Sequence, residues 1–166
     1  VTDVFNKAGY PYILVDEQCS FDPDFPNTKS PNPEEKVAYE KAIDLARKVN
    51  ADGVLSTDPD ADRVGIVVKH NNEYILLTGN QTGSILIEYL LKTKTQLNTL
   101  PKNPVIFNTV VTSDLGEKIA NHYGVEVEKT LTGFKFIGEK IAKYEQTHEK
   151  NFVFGYEESY GYLVEP

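Results

Sequence analysis

The chain has 166 residues, 40% of them apolar, and carries a formal charge of −8 at pH 7. That length and apolar content suffice for one ordinary domain or two small ones, and the acidic balance argues against a nucleic-acid backbone or an anionic membrane surface as partner. A lone cysteine, Cys19, excludes an intrachain disulfide and favours a cytoplasmic location, no apolar run approaches the roughly 20 residues of a membrane span, and a Val1 start with no Met in the sequence suggests a fragment of a longer protein.

Residues 1–8 read as the tail of a helix, with Val4, Phe5 and Ala8 apolar and Gly9 in the stop position. Tyr12-Ile13-Leu14-Val15 reads as a short buried strand. Residues 16–31 form a long loop rich in Pro, Asp, Asn and Ser. Loops of this length inside compact domains often carry function or contact a neighbour. Asn32-Pro33-Glu34-Glu35 predicts a helix start: Asn32 caps, Pro33 fits the first turn and Glu35 completes a capping box. Ala38, Ala42, Leu45, Ala46 and Val49 then fall on one face of a helix ending near Asn50. Residues 53–56 are a strand that leads into a distinctive loop.

That loop is Asp58-Pro59-Asp60-Ala61-Asp62-Arg63. Alternate side chains of an extended or turning backbone point the same way, so Asp58, Asp60 and Asp62 can converge. Three carboxylates together repel unless a cation lies between them, and their oxygens suit a hard ion such as Mg²⁺ or Ca²⁺. Pro59 stiffens the turn. Arg63 adds a fixed cation able to hold a phosphate oxygen. The combination reads as a metal-phosphate site. An EF-hand is excluded, since its sixth and twelfth positions would be Arg63 and Lys69 rather than Gly and Glu. An aspartyl-phosphate phosphatase loop is excluded because Asp62 stands where a small hydroxyl or Val is needed.

Residues 64–68 and 74–77 read as strands joined by a turn at His70-Asn71-Asn72. A helix over 81–91 carries Ile85, Leu86, Tyr89 and Leu90. Residues 93–104, polar and with two prolines, look like a linker. A strand at 105–111 follows. A helix opened by Asp114 turns Leu115, Ile119 and Tyr123 inward and is closed by Gly124. A strand at 125–128, a loop at 130–135, a helix at 137–146 and a strand at 151–156 complete the pattern. Strands and helices alternate in both halves, which predicts α/β sheets with helices packed against them. Ligands of such sheets bind at loops leaving strand ends, and two loops there stand out. Thr132-Gly133-Phe134-Lys135 places a hydroxyl, a glycine and an ammonium ahead of a helix, where an anion is favoured. Glu157-Glu158-Ser159 can accept hydrogen bonds from sugar hydroxyls.

In this order, the Asp loop, Thr132-Gly133-Phe134-Lys135 and Glu157-Glu158-Ser159-Tyr160-Gly161 resemble the motifs of the α-D-phosphohexomutase superfamily, the phosphoglucomutases and phosphomannomutases. Phe25-Pro26-Asn27, Asn32-Pro33-Glu34 and Leu77-Thr78-Gly79-Asn80-Gln81 add to the resemblance, which covers nearly the whole chain. It implies an α/β fold of two mixed-sheet α/β/α domains in tandem, both truncated: domain II over 1–92 with the metal loop, a linker over 93–104, and domain III over 105–166 with the sugar loop. It also implies reversible transfer of phosphate between O1 and O6 of a sugar phosphate, with a sugar bisphosphate as intermediate and activator. Asp58, Asp60 and Asp62 would hold Mg²⁺, and Arg63, the catalytic candidate, would neighbour the transferring phosphate. Thr132 and Gly133 would line the sugar site beside Lys135, while Glu157 and Ser159 would hold the sugar's hydroxyls. Such chemistry needs positioning and charge neutralisation more than covalent help.

The family's phosphoserine loop, of the Thr-Ala-Ser-His-Asn-Pro type, is absent. Ser113 reads as a helix-cap neighbour rather than a nucleophile. Domain I, which carries that loop, and domain IV, which grips the other phosphate, would be the missing partners on the same polypeptide, and the chain alone is expected to be inactive. Tyr160 after Ser159 is similar to glucose-type and pentose-type members, so glucose 1-phosphate and 6-phosphate are the expected substrates, with phosphomannomutase or phosphopentomutase activity next. Two other classes compete: a non-catalytic divalent-metal module and a metal-dependent phosphatase. Neither needs the two downstream loops.

Overall fold

The structure is a computed structural model describing residues 1–164. The first half holds helices α1 (Thr2–Ala8), α2 (Asp16–Cys19) and α3 (Glu40–Val49), with strands β1 (Gly53–Thr57), β2 (Val64–His70) and β3 (Glu73–Leu76). The strands form an antiparallel sheet in the order β1-β2-β3. Asn71 and Asn72, both with positive φ, make the β2–β3 turn, as the right-handed strand twist demands. Val54, Val67, Tyr74 and Leu76 share one face and pack with Ile43 against Ala38 and Tyr39. The Tyr39 hydroxyl donates to the Pro33 carbonyl at 2.7 Å.

Two expectations are corrected here. Residues 12–15 do not form a buried strand: Ile13 and Leu14 are exposed, and no strand of the described residues pairs with them. An apolar run becomes a strand only where an edge accepts its backbone. The helix expected from Pro33 also begins later. Asn32 does cap a turn, accepting from the Glu34 N–H, but the chain then makes a 3-10 turn over Lys36–Tyr39 before α3. Tyr39, wholly buried, fixes that turn against the sheet.

The second half holds α4 (Gly79–Gln96), β4 (Pro104–Thr109), α5 (Leu115–His122), β5 (Glu126–Thr130), α6 (Phe134–Thr147), β6 (Asn151–Tyr156) and β7 (Tyr162–Val164). The sheet order is β5-β4-β6-β7, with β4 parallel to both neighbours and β7 antiparallel to β6. Helices cover both faces. Ile87 and Leu91 of α4 and Ala120 of α5 pack on Ile106 and Phe154, while Ile137 and Tyr144 of α6 pack on Val105 and Phe107.

Helix α4 therefore belongs to the second sheet. The linker expected at 93–104 is the end of α4 plus its connection to β4, and the chain passes between the two sheets at 77–78. Thr78 starts α4 with a capping box: the Gln81 N–H donates to its hydroxyl, and the Thr78 N–H donates to the Gln81 side chain. Leu115 faces outward, 52% exposed, whereas Ile119 and Tyr123 pack inward as expected. Because β4, β5 and β6 run parallel, their C-terminal ends lie along one edge, and the loops leaving that edge carry Thr112, Thr132 and Glu157.

Candidate functional site

The Asp loop is a turn, with the Ala61 N–H donating to the Asp58 carbonyl at 3.1 Å. Ala61 takes a left-handed φ of 58° to close it. Asp58 is buried and caps the loop through both carboxylate oxygens. One accepts from the Arg63 backbone N–H at 3.1 Å and the other from the Arg63 Nε at 2.8 Å. This folding brings Asp58, Asp60 and Asp62 together, one ligand oxygen from each lying within 4.8 Å of the others.

The charges in this loop are unequal. Burial alone would raise the Asp58 carboxyl, but the Arg63 guanidinium and backbone hydrogen bonds overcome it and hold Asp58 at about 2. The Asp62 carboxyl is pushed up, first by its hydrogen bond with Asp58, then by desolvation and by the negative charge of Asp58 and Asp60. Arg63 also lies 3.4 Å from Glu34 and 3.7 Å from Asp62. Three hard oxygen donors whose mutual repulsion Arg63 relieves only in part fit a small divalent cation such as Mg²⁺.

In the second half, Glu157 is 5% exposed and accepts a hydrogen bond from the Gly133 N–H. That contact joins the Thr132-Gly133 loop to the Glu157 loop. The Glu157 N–H donates to the Gly161 carbonyl at 3.0 Å, closing the latter loop on itself. Ser159 is partly exposed at its tip, and Thr132 is exposed. Lys135 is exposed too, its ammonium 4.7 Å from the centre of the Phe136 ring. Ser113 receives the expected structural role: its hydroxyl accepts from the Leu115 N–H at the start of α5.

The two loop groups meet through the backbone, as the Val64 N–H, just after Arg63, donates to the Tyr160 carbonyl at 3.0 Å. Three residues of this neighbourhood make contacts that the sequence reading did not foresee. Glu34 reaches Arg63 from 29 positions away, and nothing in local spacing signals that contact. Glu158 is not a spare carboxylate: it accepts from Thr109 at 3.1 Å and Thr112 at 3.2 Å. The Tyr160 side chain, 5% exposed, is turned away from solvent and donates to the Leu77 carbonyl at 2.9 Å.

The phosphoglucomutase/phosphomannomutase alpha/beta/alpha domain II model matches residues 1–72, and the domain III model matches 78–165. A phosphomannomutase of Mycoplasmoides pirum is 43% identical over 151 residues, covering 91% of this chain and 27% of that protein. A phosphoglucomutase of Staphylococcus aureus (strain USA300) is 40% identical over 156 residues, covering 93% of this chain and 27% of that protein. The chain thus spans about a quarter of the length of these relatives. Among solved structures, Aspergillus fumigatus N-acetylphosphoglucosamine mutase in complex with GlcNAc-6P and magnesium shares the fold with a TM-score of 0.52 at 17% identity, over 73% of this chain and 26% of that one.

Proposed function

This chain belongs to the phosphoglucomutase/phosphomannomutase family, and we propose that it supplies the metal loop and the sugar loop of a phosphohexomutase. The full polypeptide would move phosphate between O1 and O6 of a hexose phosphate through a bisphosphate, in the cytoplasm. The observation that carries this reading is the convergence of Asp58, Asp60 and Asp62 beside Arg63, in direct backbone contact with the loop holding Glu157 and Ser159.

Asp58, Asp60 and Asp62 would hold Mg²⁺. Bound there, the ion would supply the charge neutralisation that phosphoryl transfer needs. Arg63 is oriented for the same task. Its Nε is fixed on Asp58, so the guanidinium is presented without losing freedom during the reaction. Glu157, fixed on the Gly133 N–H, keeps further lone pairs for sugar hydroxyls, with Ser159 beside it. Thr132 and Gly133 would line the sugar, and Lys135 would add positive charge at the start of α6. The sequence holds no loop of the Thr-Ala-Ser-His-Asn-Pro type to act as the phosphoryl donor. Turnover is therefore expected from the longer polypeptide and not from these 166 residues.

Glucose 1-phosphate and 6-phosphate remain the favoured substrates, and mannose phosphates are the second reading. Named relatives of both kinds match at similar identity. The Tyr160 ring is buried away from the loop tip, so any influence on sugar choice passes through the backbone of Ser159. The test is steady-state turnover of the longer polypeptide with glucose 1-phosphate and mannose 1-phosphate, wild type against Glu157→Gln. Loss of one charged hydrogen bond to the sugar should lower kcat/KM about 10- to 100-fold. Unchanged kcat/KM in Glu157→Gln would remove the sugar role of this loop. Faster turnover of mannose 1-phosphate would move the substrate to the second reading.

A further inference from the structure

We propose that Tyr160 is a positioning residue that couples the metal loop to the sugar loop, an inference that rests on the functional reading above. Among the described non-glycine residues with left-handed φ, Tyr160 is the only buried one. Its φ is 69°, a conformation that an aromatic residue avoids unless its surroundings impose it. The others lie in exposed turns and caps.

The surroundings do impose it. The Tyr160 carbonyl accepts from the Val64 N–H at 3.0 Å, and its hydroxyl donates to the Leu77 carbonyl at 2.9 Å. Val64 begins β2. Leu77 follows β3 and is itself tied to β2, its N–H donating to the Ile66 carbonyl. One residue thus grips two strand ends of the first sheet while belonging to the sugar loop of the second. One glycine makes room for it, and a second lets the next residue of the loop pass Phe134. A Cβ at Gly79 would lie 1.9 Å from the Glu158 carbonyl oxygen and 3.1 Å from the Tyr160 nitrogen, and a Cβ at Gly161 would lie 2.1 Å from the Phe134 ring.

The functional consequence follows from adjacency. The Val64–Tyr160 hydrogen bond joins the residue after Arg63 to the residue after Ser159. A group meant to meet a phosphate and a group meant to meet the sugar are each one peptide from the same bond. Phosphoryl transfer is governed by such alignment, and small displacements are costly. Binding at one loop should therefore be felt at the other, and reciprocally.

The test is Mg²⁺ titration of this chain followed by backbone amide NMR, for wild type, Tyr160→Phe and Tyr160→Gly. Tyr144→Phe, which deletes another buried tyrosine hydroxyl far along α6, controls for general loss of stability. In the wild type and in Tyr144→Phe, Mg²⁺ should shift the amides at Asp58, Asp60 and Asp62 and also those at Glu157, Ser159 and Gly161. In Tyr160→Phe, which loses the hydroxyl's bond to Leu77 but keeps the backbone bond to Val64, the first set should persist with the same midpoint while the second shrinks, and the Val64 amide should exchange up to about fivefold faster as the loop loosens by one hydrogen bond. In Tyr160→Gly the second set should vanish. Transmitted shifts that survive both substitutions, or that are missing in the wild type while the metal loop responds, would overturn the coupling role. No response at Asp58, Asp60 and Asp62 would instead overturn the metal reading on which it rests.

Discussion

Asp58 and Arg63 show how one pair can build a loop and charge it. Asp58 is almost fully buried, which disfavours a carboxylate, yet Arg63 keeps it ionised by donating to both oxygens. Arg63→Gln removes the guanidinium and leaves a buried charge short of a partner. Without metal, the Asp58 carboxyl should then titrate well above about 2, read by side-chain carbon NMR, and the fold should lose about 1.5–3 kcal/mol in urea. An unmoved titration would mean that Arg63 is not the cause. Glu128 offers a second case away from the site. Burial pushes its carboxyl up, but hydrogen bonds from Lys140, Lys150 and Tyr144 prevail and bring it from 4.5 to about 2. A depressed carboxyl contributes stability above its unfolded value and loses it as pH falls toward the folded one. The chain should thus weaken between about pH 4.5 and 2, and Glu128→Gln should flatten that slope, removing about 2 kcal/mol of the total loss after screening. Equal slopes in urea melts of the two proteins would contradict it.

At the scale of elements, packing overrides local preference where the two conflict. Gly83 lies inside α4, where alanine is intrinsically better by about 1 kcal/mol. Its Cβ, however, would lie 2.3 Å from the ring of Tyr156, which is wholly buried. Gly83→Ala should therefore destabilise by about 1–3 kcal/mol rather than stabilise, as a denaturant melt would read. A stabilised Gly83→Ala would show that Tyr156 yields. The same contest explains what could be read in advance. The strands around the Asp loop, the Asn71-Asn72 turn, the stops at Gly9 and Asn50 and the helices α5 and α6 follow from periodicity and caps, which are local. The fate of residues 12–15, the late start of α3 and the attachment of α4 depend on which surface each element meets. Helix α4 carries apolar residues on several sides, so spacing alone did not say which sheet it joins. Strand β7 has three residues and exists because the β6 edge accepts it.

In the whole molecule, the sheets expose different kinds of edge. The second sheet gathers Thr109, Thr130 and Glu157 at the C-terminal ends of its parallel strands, and the first brings the Asp loop to that neighbourhood through Tyr160. Asp58, Asp60 and Asp62 were legible because their spacing is dense and their chemistry specific. The Glu157 loop stands out in the sequence only as part of an ordered set, and what the structure adds is its place at a strand end beside Gly133, while Glu34 and Tyr160 as contact residues were not legible, because both act across the fold. The most direct test of the central claim is calorimetric titration of this chain with Mg²⁺, alongside Asp60→Asn. Asp60 is exposed on the loop, so its substitution should spare the fold. Saturable single-site binding that Asp60→Asn weakens at least about tenfold is the expected result. No saturable binding, or binding untouched by Asp60→Asn, would mean that the three carboxylates are not a metal site.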